Sequence, residues 1–344
     1  MQFLPLLPPM RALRTAAVAL LAVQAIAAPA QADDEFFKGK TINFIIATAS
    51  GGGYDTYSRL IARHLGRHLP GQPAVVPQNM PGAAGIRAAN YLYSVAPKDG
   101  TAIGMLDQAT YLDRVLGTPG LTADAAHFNW IGRILSNSAV LYAWHLAQVK
   151  RIEDAFAHEL IVSTSGAASR LNWTVLNNLL GTRFKIITGY QGTNDGRLAM
   201  MRGEVDALSQ PWPVLKVEGE QLLRERQINL LLQTGADKHP ELAHVPRMID
   251  LARMEEDKLL LALFSSPSTI GRSVAAPPGV PPERLKTLRD AFAAAIRDPA
   301  LIEEAGKLRL ALDPLDGEAL QAVIAKSGAV SPDLIARARR VAER

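Results

Sequence analysis

A chain of 344 residues with no cysteine carries no disulfide, thiolate metal site, cysteine nucleophile or lipid-modified amino-terminal cysteine. Its 37 Lys and Arg stand against 33 Asp and Glu. With no cluster of basic residues alongside that small excess, a nucleic-acid partner is not indicated.

The first element in the chain is an export signal. Arg11 and Arg14 form a positive region, Thr15 to Ala30 is apolar apart from Gln24, and Ala28-Pro29-Ala30 ends it with a small-x-small cleavage pattern. Ala30-Gln31-Ala32 is a second cleavage choice, and Met10 is a second initiator beside Met1. The apolar run is shorter than the roughly 20 residues of a spanning helix, so a membrane anchor is the lesser alternative. Removing residues 1–30 from 344 leaves 314 residues, enough for two domains with their own cores. Removing Arg11 and Arg14 leaves 35 basic residues against 33 acidic ones.

The mature sequence alternates short β-rich runs with amphipathic helices, the pattern of an α/β fold with a mainly parallel sheet. Thr41 to Ile46 reads as a strand. Tyr57, Leu60, Ile61, Leu65 and Leu69 then mark a helix beginning at Asp55. Ala74 to Val76 is the next strand, Ile86 to Val95 a helix, and Thr101 to Leu106 a third strand. The pattern restarts with a strand at Leu160 to Ser163 and a helix carrying Leu171, Val175, Leu176, Leu179 and Leu180, ended by Gly181. Phe184 to Thr188 and Val205 to Leu208 are strands around a helix from Asp195 to Arg202. The apolar run Lys258 to Phe264 carries the chain back toward the first domain. A helix from Leu285 to Ile296 follows a proline cluster, and a charged surface helix starts at Ser331.

Strand ends of the first half lead into Ala49-Ser50-Gly51-Gly52-Gly53-Tyr54-Asp55, Asn79-Met80-Pro81-Gly82-Ala83-Ala84-Gly85 and Asp107-Gln108-Ala109-Thr110. In a parallel sheet these loops share the carboxyl edge, where such folds bind ligands. Glycines let backbone N–H groups approach a ligand, and the following helix start favours an anion. One such loop alone reads equally as a tight turn. The first is neither a nucleotide P-loop, lacking Gly-Lys-Ser/Thr, nor a dinucleotide fingerprint. Asp55 reads as the helix cap, accepting N–H bonds from the first turn and pairing with Arg59; a carboxylate facing an anion would repel it.

The second half repeats the device in Thr164-Ser165-Gly166-Ala167-Ala168-Ser169, with Asp206 at a strand end and Ser209, Gln210 and Trp212 beyond it. Trp212 reads either as a stacking platform for a ligand or as packing. His64 and His68 lack the intervening glutamate of a zinc protease and read as a solvated helix face, so no metal is expected. Ser165 lacks the glycine-flanked elbow of a hydrolase. Neither enzyme chemistry nor a cofactor is called for by these residues.

Four ordered stretches resemble one family: Gly51 to Arg59, Gln78 to Gly85, Ala89 to Tyr93 with Ala96 to Thr101, and Gly203 to Asp206. Over essentially the whole mature chain the sequence is similar to the Bug or TctC-type receptors of tripartite tricarboxylate transporters. The resemblance implies a type II periplasmic-binding-protein fold, with two Rossmann-like lobes, a ligand cleft between them and two crossing strands. It divides the chain into a signal peptide at 1–30, a discontinuous lobe 1 at 31–135 plus 262–344, and lobe 2 at 136–261. It implies that Ser50, Gly51, Gly52, Gly53 and Tyr54, and Pro81, Gly82, Ala83, Ala84 and Gly85, form a cradle that holds a carboxylate largely by backbone amides, with Gln108 on the third loop. Ser165, Gly166 and Ser169 would close from lobe 2, with Asp206 and Trp212 beside them. At Arg170-Leu171-Asn172 the chain departs from the family, whose members often carry a histidine there. The implied function is capture of a di- or tricarboxylate or an aromatic carboxylate in the periplasm by a monomer that serves membrane transporter subunits. A receptor feeding a two-component system and an exported enzyme are the alternatives.

Overall fold

The computed structural model describes residues 36–343 apart from 165–166, 191–192, 237 and 328–330. The segment read as an export signal therefore lies outside the described residues, as do Ser165 and Gly166. Strands β1 (Thr41–Ile46), β2 (Ala74–Asn79), β3 (Ala102–Met105), β4 (Asn129–Leu135), β5 (Ala139–Trp144) and β6 (Leu160–Ser163) are followed by β7 (Phe184–Ile187), β8 (Ala207–Pro211), β9 (Ile228–Gln233), β10 (Arg272–Ala276) and β11 (Leu315–Asp316).

They divide between two sheets, in the orders β11-β4-β10-β3-β1-β2 and β7-β6-β8-β5-β9. The β1 run Thr-Ile-Asn-Phe-Ile-Ile is almost wholly buried, as a central parallel strand with helices on both faces requires. The β2 run is half-exposed along its length and holds Pro77, whose missing N–H is tolerated because β2 closes the edge of the sheet. β1 is parallel to both β2 and β3, and β6 is parallel to both β7 and β8.

Each sheet also takes in a strand that runs the other way. β4 ends at Leu135, and Ser136 to Ser138 pass the chain into β5, which is antiparallel to β8. β10 returns antiparallel to β3 and β4. The reason is geometric. Ala139 pairs with Pro211 at the end of β8, and Arg272 pairs with Leu135 at the end of β4. The chain thus enters each sheet at its carboxyl edge and must run back through it. The two crossings touch where the Asn137 N–H donates to the Ser268 carbonyl at 2.8 Å. The return segment around Lys258 to Phe264 is part of a helix, Glu255–Ile270.

β4, β5, β9, β10 and β11 were not foreseen. The charged helix expected from Ser331 forms as Pro332–Ala342, capped by the Ser331 hydroxyl. It is not purely a surface helix: Leu334, Ala338 and Val341 are buried. Its end is held by Asn178, whose Nδ2 donates to Val341 O at 3.0 Å and to Glu343 O at 2.8 Å. No helix among the described residues is long and apolar enough to cross a membrane.

Candidate functional site

The three glycine-rich or polar loops of the first sheet do converge, and side chains tie them together. The Gly52 N-cap offers no side chain to the helix Gly53–Leu65, so the N–H groups of its first turn are left open at the loop. Ser50 and Gly51 to Gly53 are exposed. Gln108 joins the first loop to the third, its N–H donating to Tyr54 Oη at 3.1 Å. Gly85 joins the second loop to both, since a Cβ there would stand 3.0 Å from Asp107 Cβ and 3.5 Å from Ala47 Cβ.

The second loop adopts an uncommon backbone. Gly82 has φ 142°, and Ala83, Ala84 and Gly85 follow with φ of 46°, 52° and 94°. Alanine in the left-handed region is strained, and such strain gathers at ligand clamps. The turn closes by a Gly85 N–H bond to Gly82 O at 3.0 Å. Pro81, Gly82, Ala83 and Ala84 are exposed at its tip.

Asp55 is 5% exposed and does something other than cap its helix. It lies inside the first turn and reaches back, accepting the Gly51 N–H at 2.9 Å. It also accepts Arg59 Nε and Asn79 Nδ2, each at 2.9 Å. Asn79 in turn donates to Thr48 O at 3.0 Å and accepts from Arg59 Nη2 at 2.8 Å. The first-turn N–H groups are therefore not consumed by Asp55. Hydrogen bonding from Arg59, aided by Gly51 and Asn79, lowers its pKa to about 2. Burial drives the Tyr54 hydroxyl far above its ordinary range and also raises Asp107.

In the second sheet, Thr164 and Ser169 meet Ser163, Tyr190, Thr193 and Ser209 around a cavity of about 10 Å3, room for one water at most. Asp206 corrects its expected place. The strand begins after it, at Ala207, and Asp206 O accepts the Trp144 N–H while its carboxylate accepts the Ile161 N–H at 2.9 Å. Ile161 lies near the start of β6, so Asp206 stands at the amino edge, away from the loops. Trp212 is buried in the core of the second sheet, with Nε1 donating to Glu241 at 2.8 Å and its ring edge-on to His239. Of its two readings, packing is the one whose contacts are present.

The histidine pair is likewise corrected from a solvated face. His64 is 5% exposed and meets Glu304 at 2.6 Å, and His68 meets Asp298 at 2.9 Å. His64 binds the first helix to the helix Pro299–Lys307, and His68, in the turn after the first helix, meets that helix's N-cap; no metal-holding group occurs among the described residues. One functional candidate was missed. Arg272, first residue of β10, comes to the glycine loop from the other lobe's side of the chain, with its guanidinium packed on Gly53. Arg272 starts an antiparallel strand, and no strand-to-helix glycine loop marks such a start in the sequence.

Two mixed sheets joined edge to edge by paired crossings, with ligand-type loops at the joined edges, define the type II periplasmic-binding-protein fold. A solute-binding protein named as TctC, from Polaromonas and solved without ligand, superposes with a TM-score of 0.66 at 19% identity, covering 88% of this chain and 98% of that one. MatC from Rhodopseudomonas palustris, with bound malate, matches at TM-score 0.55 and 20% identity, covering 89% of this chain and all of that one. An R. palustris protein solved with adipate matches at 0.55 and 21%, over 88% and 96% of the two chains. In sequence, the chain is 26% identical over 302 residues to the UPF0065 protein in the gbd 5' region of Cupriavidus necator, covering 85% of each. No family model matches. The chain is a homologue of that UPF0065 protein and shares the TctC fold over most of its length, as its four sequence stretches led one to expect.

Proposed function

We propose that this chain is exported to the periplasm, closes its two lobes on a small organic carboxylate, and delivers it to a tripartite tricarboxylate-type membrane transporter. The observation that carries the reading is the meeting of two exposed loops, the first with open helix-start N–H groups, with the Asp55 carboxylate turned into its own network. Neutral N–H groups of this kind favour an anion. The malate and adipate bound by two proteins of the same fold point to the same ligand class. Ser165, Gly166 and Ser169 would approach from the second lobe on closure.

Gly52 supplies the test. A Cβ at Gly52 meets nothing within 4 Å, and its φ of −87° suits any residue, so Gly52→Leu leaves the fold intact while filling the cradle. Titration calorimetry with malate, adipate and benzoate should find at least one that binds the wild type and loses at least about tenfold in affinity, roughly 1.4 kcal/mol, in Gly52→Leu. Unchanged affinity in the variant, or no binding of any of the three by wild-type protein, would overturn the reading.

A further inference from the structure

Arg272 stands in a position that its packing alone does not explain. It opens β10, and the pairing of Arg272 with Leu135 and of Val274 with Met105 puts it at the carboxyl edge, beside the glycine loop. Its guanidinium carbon lies 5.5 Å from the Tyr54 ring centroid and 5.0 Å from that of Tyr57. A Cβ on Gly53 would stand 2.7 Å from Arg272 Nη2, so glycine at this position is what lets the guanidinium lie against the loop backbone. The Nε of Arg272 is buried and has no hydrogen-bond partner among the described residues, and no carboxylate there lies within ion-pair distance.

A buried charged donor without an acceptor is costly, and folds ordinarily supply one. Arg133, on the neighbouring strand, shows the ordinary solution: its guanidinium donates to Thr269 O at 2.8 Å and pairs with Asp313 at 3.2 Å. Stacking on two tyrosines offsets some cost for Arg272 but gives its N–H groups no acceptor. A second buried polar atom without a partner, Thr48 Oγ1, belongs to the same loop, between β1 and the glycines. Both belong to the immediate surroundings of the glycine loop.

We propose that Arg272 is a specificity-determining residue of that site: its guanidinium takes a carboxylate of the bound acid beside the open N–H groups of the glycine loop. This rests on the carboxylate reading of the site and deepens it. The cradle then joins a fixed cation to neutral donors, and the ligand must present an ionised carboxylate at the Gly53 end. Because Arg272 follows directly on the chain's return crossing, the cation arrives from the segment that links the lobes.

The test compares wild type, Arg272→Met, Arg272→Lys and Gly52→Leu by calorimetry with malate and adipate at low and high salt, with melting temperatures taken alongside. For whichever acid binds, Arg272→Met should weaken affinity by on the order of 30-fold, the range of a hydrogen bond to a charged group. Arg272→Lys should recover part of that loss, and the salt dependence of binding should flatten in the Met variant. Should Arg272→Met fail to fold, Arg272→Gln is read in its place. Affinity within twofold of wild type in the Met or Gln variant, with binding lost in Gly52→Leu, overturns the role of Arg272 and leaves the site reading standing. Failure of the wild type to bind either acid overturns both for these ligands.

Discussion

Asn79 Nδ2 donates to Asp55 Oδ1 at 2.9 Å, and this bond ties the end of β2 to the glycine loop that follows β1. The same carboxylate holds Gly51 and Arg59, so the shape of the first loop depends on a side chain that reaches back to it from the first turn of the helix. Backbone donors serve as an anion site only when they are held in place before the ligand arrives. On the proposed carboxylate reading, Asp55 is a positioning residue.

Replacing Asp55 by Ala removes the acceptor of the Gly51 N–H and of Arg59 Nε and one of the two acceptors of Asn79 Nδ2, a loss of about 2–3 kcal/mol in stability. Urea denaturation followed by circular dichroism measures it. The pH dependence has a definite sign. The folded pKa, about 2, lies below the ordinary 3.8, so the stabilisation is complete above pH ~4 and is lost as pH falls through 2. Wild type and Asp55→Asn should accordingly converge in stability on acidification, by about 1–2 kcal/mol after solvent screening. A gap between them that stays constant from neutral pH to strong acid would contradict the assignment.

Asp107 works in the opposite direction. Burial raises its pKa above the ordinary 3.8, so the folded chain holds the proton more tightly than the unfolded one. Its contribution is present below pH ~3.8 and lost as pH rises through the folded value. Asp107→Asn keeps the oxygen that accepts the Ala109 N–H at 2.8 Å and removes the charge. The variant should melt above wild type at neutral pH, with the difference closing in acid. Thermal scans across that range decide it, and an Asn variant less stable at neutral pH refutes the burial argument.

His64 should matter to the fold and not to the ligand. Its 2.6 Å contact with Glu304 joins two helices, and the Glu304 carboxyl is held below its usual range by His64 and then Arg63. His64→Ala should cost about 1–3 kcal/mol by chemical denaturation, since it strips a buried partner from a carboxylate. Carboxylate affinity in the same variant should match wild type. A tenfold change in affinity with unaltered stability would place the histidine in the site after all.

Much of the fold was legible because it depends on short-range rules. Periodicity marked the helix that carries Tyr57, Leu60 and Ile61, and the β-branched run at Thr41 to Ile46 marked a central strand. The glycine loops were visible because few other residues make such turns, and two of them in succession already pointed to one edge of a sheet. Where long-range pairing decides, the reading went astray. Val205 to Leu208 looked like a strand with Asp206 in it, but pairing with β6 starts the strand at Ala207 and leaves Asp206 at its amino edge.

The sequence by itself determined the alternation of elements, the two glycine loops and the family likeness, because each is written in residues close together along the chain. Only the tertiary structure decided what stands beside those loops. Asp55 meets Asn79 across 24 positions, His64 meets Glu304 across 240, and Arg272 reaches Gly53 from a strand that has already crossed through the other lobe. No local pattern encodes such meetings, since they follow from the antiparallel entry of β10 at the carboxyl edge, which the order of strands in the sheet alone dictates.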